Sequence, residues 1–266
     1  MAFMLGDLLV DRILYGIGEN SKGELLYTLT NLQEATIDIS ADSTDAVDGT
    51  GAVIKTFYKA KTGTFTGTNS TISLPIIATM SGTDPIYASS DSPLSIPHIV
   101  MTASATVTLP GVSDAGTNNN IRVYSVAPNG TLGKAYAVSA GTASAGQYSV
   151  ASGKMTITPN DGDTKWIIKY DRNVTENAVE IKNRSDAFAK SHKLTLKVLI
   201  VDPCETDTVR AAYVVLPSFQ PSPEVSIGFT TDGTIDLTGN LQTSYCGTDK
   251  VLYEIYMAED DIEEDA

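Results

Sequence analysis

The sequence predicts a mainly β protein. Three observations carry that prediction. Short runs in which apolar and polar residues alternate recur along the chain. Clusters of Gly, Asn, Asp and Pro separate them. Charged residues make up 19% of the 266 residues, while Thr, Ser, Gly and Ala are plentiful; globular domains usually hold ~25% charge. A chain of this length suits one elaborated domain or two modest ones, and its core needs no disulfide or metal staple.

The elements follow in order. Leu5, Leu8, Leu9, Val10, Ile13, Leu14 and Tyr15 fit a short amphipathic helix or an arm laid on a neighbour, ended by Gly16 and Gly18. LLYTLTNLQ (25–33) and EATIDISA (34–41) follow as strands. In the second, Ala35, Ile37 and Ile39 alternate with Thr36, Asp38 and Ser40, the period of a half-buried strand. DSTDAVDGTG (42–51) is polar, acidic and ends in Gly, and it reads as a long loop. Residues 52–74 read as two strands about a turn near Lys61–Gly63. Pro75 opens a helix of one or two turns, with Gly82 as its stop. Pro85, Pro93 and Pro97, in a Ser/Asp background, mark 83–97 as a linker.

From 98 to 170 the texture changes. VTL, IRVYSV, KAYAVS, QYSVASGKMTIT and KWIIKY alternate with PGVSDAG, PNGTLG, AGTASAG and PNDGD. Strands at such short, regular spacing predict a small immunoglobulin-like β-sandwich. A short helix is expected around 185–190. Strands then return in KLTLKVLIVD (193–202), TVRAAYVVLPSFQ (208–220), EVSIGFTT (224–231), GTIDLTGNLQTSYC (233–246) and KVLYEIYMA (250–258). The domain plan is therefore discontinuous: 1–97 with 171–258, an inserted sandwich at 98–170, and an acidic tail at 259–266. Six of the last eight residues are acidic.

Composition and motif searches then narrow the chemistry. The net charge is −14 and no basic run exists, which disfavours a tight nucleic-acid binder that must displace counterions. No stretch of ~18 apolar residues predicts a membrane helix. No basic segment precedes the apolar N-terminal run, so a secretory signal is not expected and folding in a cytoplasm is. No nucleophile elbow, phosphate loop or zinc spacing occurs, so no catalytic residue, metal ligand or cofactor is expected. His98 and His192 read as surface or capping residues. The Asp-rich turns at 42–48 and 160–163 read as solvated turns. Cys204 and Cys246 each end a strand; they form a disulfide if those strands are neighbours, or stay as two thiols.

Two regions together resemble the tail tube (major tail) proteins of long-tailed bacteriophages. One is LLYTLTNLQEATIDISAD with the acidic loop, VIKTFYKAKTGTFTGTNSTISL and PIIATMSG. The other is KLTLKVLIVDPC, VRAAYVVLPSFQ, VSIGFTTDG and KVLYEIYM. The resemblance implies a tail-tube-like β-barrel or sandwich, with the 98–170 sandwich inserted and displayed outside. It implies a virion structural protein made in the bacterial host cytoplasm. Copies assemble into stacked rings, usually hexameric, forming a channel for DNA delivery. The partners implied are other copies and tail proteins such as terminator, baseplate, tape measure and a sheath, with DNA only in transit through an acidic lumen and no membrane. On that map Asp42, Asp45, Asp48, Gly49 and Gly51 form the inter-ring stacking loop. Leu8, Leu9, Ile13 and Leu14 form the subunit-contact arm. The alternatives are a capsid decoration or fibre-associated protein, or a glycan-binding module. The last needs an exposed aromatic row, for which Tyr136, Tyr148, Trp166 and Tyr170 are the candidates.

Overall fold

The computed structural model describes residues 7–112, 120–224, 226–228, 233–243 and 249–262, with backbone alone at 205–206 and 259–262. The chain is mainly β. It divides into two compact units, one built from 1–85 with 181–266 and one from 86–180.

The first unit begins with β1 (Leu9–Glu19), β2 (Leu25–Leu29), β3 (Leu32–Val47), β4 (Val53–Asn69) and α1 (Leu74–Ser81). The helix or arm expected at 5–15 is thus a strand over its described length. Two β-bulges, at Val10/Arg12 and Ile13/Tyr15, interrupt its pairing. Each puts an extra residue into the strand, so the apolar doublets lose the two-residue period and imitate a helical stripe. Gly16 and Gly18 do not end the element. They sit inside it, where a Cβ would come within 2.6 Å of the Leu196 and Tyr27 side chains respectively. The chain needs their bareness for close packing.

The expected 42–51 loop is also strand for most of its length. β3 runs to Val47 and pairs with β4 along one long hairpin, whose turn is confined to 48–52. The turn expected near Lys61–Gly63 is absent, because β4 passes straight through. Pairing shifts at Ala41/Ser43 and Ala46/Val47 break the alternation that would have revealed the strands. α1 matches expectation, with Pro75 in its first turn and Gly82 at φ 66° as its left-handed stop. The Gly82 N–H donates to Thr79 O, and the Thr83 N–H to Ala78 O.

The second unit holds β5 (Ile86–Tyr87), β6 (Leu94–Thr102), β7 (Thr106–Thr108), β8 (Arg122–Val126), β9 (Leu132–Val138), β10 (Gln147–Ala151), β11 (Lys154–Thr158), β12 (Trp166–Val174) and β13 (Val179–Glu180). The linker expected at 83–97 is therefore partly sheet. Of its prolines only Pro97 lies within a strand, and it is compatible because β6 is an edge strand, which can spare an N–H. Seven strands run in the order β6-β12-β8-β9-β10-β11-β7, and β5 pairs with β13 as a separate ribbon. Ser152 and Gly153 both have positive φ and link β10 to β11 by a two-residue turn, the geometry that suits tight hairpins. One core gathers side chains from both halves of this sheet, including Val123, Tyr136, Tyr148, Met155, Ile157, Trp166, Ile168 and Tyr170.

Back in the first unit, residues 185–190 form a turn and irregular chain rather than a helix. This segment is tied to the end of α1: Thr83 Oγ1 donates to Lys182 O at 2.6 Å, and the Phe188 backbone lies against Gly82. Then come β14 (His192–Asp202), β15 (Glu205–Pro221), β16 (Ile235–Leu241) and β17 (Glu254–Ile262). The strand β17 takes in 259–262, residues expected to belong to the acidic tail. The sheet order is β2-β1-β14-β15-β16-β4-β3, with β17 on β15. Leu29, Phe65, Leu194, Leu196, Leu216, Phe219, Ile235 and Leu237 form the core of this unit together with Ile76 and Met80 of α1.

Candidate functional site

Among the described residues, no group of three His, Cys, Asp or Glu side chains is placed to hold a metal. Nor is any helix among those residues long and apolar enough to cross a membrane. Cys204 is exposed in the β14–β15 turn, and Cys246 lies outside the described residues. His192 is not a surface residue: it is 4% exposed. Its Nε2 lies 2.6 Å from the Tyr27 hydroxyl and its Nδ1 lies 3.2 Å from Lys190 O. The rings of Tyr27 and Phe219 meet it edge-on at 5.3 and 5.4 Å. Burial pushes the pKa of this imidazole down and that of the Tyr27 phenol up. His98 lies on β6 and packs edge-on against Tyr170 at 5.2 Å. Tyr136, Tyr148, Trp166 and Tyr170, the four candidates for an aromatic row, are all core side chains.

Among the described residues, strand edges and apolar surface are left uncovered. β2 and β3 end the sheet, each with one partner. Their outer N–H and C=O groups form a template for further pairing. β16 pairs with β4 only from Gly63 to Asn69. Beyond that, β3 and β4 continue as a two-stranded ribbon, and isolated ribbons are marginal in water. From the Ala41/Lys61 pair to the turn the ribbon reaches roughly 20–25 Å at ~3.3 Å per residue. Val47, Val53, Ile54, Phe57 and Tyr58 on it are each more than half exposed. Cross-strand pairing puts Tyr58 beside Ser43 on one face and Phe57 beside Thr44 on the other, so both faces carry uncovered aromatic surface.

The sequence-derived loop residues all map to this ribbon. Asp42 and Asp45 are within β3. Asp42 faces Lys59 at 3.7 Å, and Asp45 Oδ1 accepts from Thr56 Oγ1 at 2.6 Å. Asp48, Gly49 and Gly51 form the turn. Asp48 Oδ1 accepts from Thr50 Oγ1, Thr50 N and Ala52 N at 2.6–2.9 Å. These bonds, the Thr50 hydroxyl first, hold its carboxyl below the usual carboxylate range. Gly51, at φ 87°, takes the backbone conformation that glycine adopts without cost. The proposed arm divides: Leu8 and Leu9 are exposed, while Ile13 packs against the core.

At the ribbon's root lies an open groove of about 800 Å³. Ile39, Ala41, Ala60, Leu252 and Tyr253 give it apolar walls, and Lys61 and Lys250 are in its lining. The sequence reading missed the exposed apolar side chains of β4 and the residues of this groove. The signal for the first was present as AVIKTFYKA, a strand-forming run with bulky side chains at consecutive positions.

On the sheet face turned away from the core, four cross-strand rows line up: Ser40–Thr62, Asp38–Thr64–Asn240, Thr36–Thr66–Thr238 and Glu34–Thr68–Asp236. Most of these residues are exposed. Thr68 Oγ1 donates to Asp236 Oδ1 at 3.0 Å, and the Ser40 and Thr62 hydroxyls lie 3.2 Å apart. The rows contain three carboxylates, seven hydroxyls, one amide and no base.

A search of curated proteins finds no match to this chain. A family model described as the YomU/Tube protein family matches residues 8–244.

Proposed function

We propose, for a chain that belongs to the YomU/Tube protein family, the role of a bacteriophage tail tube subunit, a structural component of the virion. The carrying observation is the β3/β4 ribbon. Among the described residues it extends past its last partner, β16, with both faces and both edges uncovered, which suits a subunit completed by its neighbours. In this reading, copies join through the free edges β2 and β3 into rings, and ribbons bridge one ring to the next.

The hydroxyl and carboxylate rows line the channel. Glu34, Asp38 and Asp236 repel phosphate, and the threonines offer a smooth polar wall, so DNA passes without adsorbing. α1 lies on the opposite side of the sheet, where Ile76 and Met80 complete the core. The unit at 86–180 is an immunoglobulin-like module displayed by each subunit. The protein has no catalytic role, and its working partners are copies of itself and other tail proteins.

Negative-stain microscopy and sedimentation of the purified full chain test this. Rings and tubes that grow with concentration are expected. A monodisperse monomer at every concentration and salt overturns the reading.

A further inference from the structure

We infer that the groove at the root of the β3/β4 ribbon is the receptor for the tip of the same ribbon from a second copy of this chain. The inference rests on the tube reading and adds which surfaces meet.

The tip needs a cover. Val47, Val53 and Ile54 flank the turn at 55%, 57% and 71% exposure. Covering aliphatic side chains removes apolar surface from water, so three uncovered ones together drive association. The groove is the matching surface in the same unit: apolar walls at Ile39, Ala41, Leu252 and Tyr253, of which Tyr253 is 42% exposed, and a volume of about 800 Å³. Charge complements shape. The tip brings Asp45 and Asp48, with its Lys55 drawn over the Phe57 ring at 5.1 Å, and the described lining of the groove brings Lys61 and Lys250 and no carboxylate. The Asp48 side chain is also locked into its turn by three hydrogen bonds, so its charge is presented in one place.

Geometry then decides which copy supplies the tip. Tip and groove lie at opposite ends of one ribbon, roughly 20–25 Å apart at ~3.3 Å per residue. A paired ribbon cannot double back over that distance, so the occupant comes from another molecule. The contact is heterologous, tip to groove rather than patch to itself. A contact of that kind leaves a free tip at one end and a free groove at the other, and so it propagates in one direction. The tube gains its polarity from this contact.

Two variants test it. Val53→Asp with Ile54→Asp damages the tip. Lys61→Glu with Lys250→Glu damages the groove. All four positions are exposed, so unchanged circular dichroism and melting are the control for folding. Each variant alone is expected to form rings and no longer tubes, read by sedimentation and microscopy. An equimolar mixture is expected to give ring pairs of twice the ring mass that grow no further, because intact tips from one variant enter intact grooves of the other. Tubes of wild-type length from either variant, or a mixture that stays as single rings, overturns the inference while rings still support the tube reading. A wild-type chain that forms neither rings nor tubes overturns the tube reading itself.

Discussion

His192 and Gly239 show how far single residues govern this fold. His192 keeps both ring nitrogens satisfied while buried. Its folded-state pKa lies below the ordinary value of 6.5, so below that pH the unfolded chain binds the proton more readily. The stability it supports is complete above pH 6.5 and is lost as pH falls toward the depressed folded value. Urea midpoints should therefore decline from pH 7 to 5, and His192→Gln should flatten that decline. Exposed carboxylates such as Asp48, also held low, act in the same direction but only below about their ordinary 3.8, so the two windows separate. Gly239 packs against backbone: a Cβ there would lie 2.3 Å from Gln220 O and 2.5 Å from the Phe219 ring. Gly239→Ala should cost about 1–3 kcal/mol as overpacking, seen as a lower melting temperature with an unchanged spectrum. The sequence passes over Gly239 and makes His192 look like a surface or capping residue, because the burial of His192 depends on Tyr27, 165 positions away.

At the scale of elements, regular strands were legible and irregular ones were not. β16, the first half of β14 and the core half of β4 alternate cleanly, and the Pro75–Gly82 pair bounded α1. β1 and the outer hairpin failed for one shared reason. Bulges shift the side-chain phase, and a ribbon with two exposed faces has no buried side to impose a period. The candidate site was legible in part for the same reason: the acidic residues of the turn stood out, while the apolar residues across from them did not. The paired hairpin also changes how it should be trimmed. Deleting 42–51 removes one strand against an intact partner and disturbs the register. Replacing 45–56 with Asn-Gly removes matched lengths of both strands, since Thr44 pairs with Phe57. That variant should keep its stability within about 0.5 kcal/mol of wild type, because all the lost residues but Ala46 and Thr56 are exposed, yet give rings without tubes by microscopy.

For the whole molecule, charge is divided unevenly. The 86–180 unit holds seven acidic and six basic residues, leaving −13 of the −14 on the other unit. The acidity thus sits with the sheet that carries Glu34, Asp38 and Asp236. If those rows line the channel, Asp38→Lys with Asp236→Lys should make tubes that retard linear DNA in gels at low salt and release it as salt rises. Wild-type tubes should leave it unretarded. Charge-swapped tubes that ignore DNA would remove these rows from the lumen.

The ribbon of β5 and β13 pairs Tyr87 with Val179 and Ile86 with Glu180, so the chain leaves for residues 86–180 and comes back at neighbouring points about 5 Å apart. A segment whose two ends pair with each other is a natural cassette. Any foreign module whose own ends lie close together can be spliced between Pro85 and Ile181. If the tube forms as proposed, the product is a nanoscale cylinder bearing that cargo once per subunit, at a spacing fixed by the lattice.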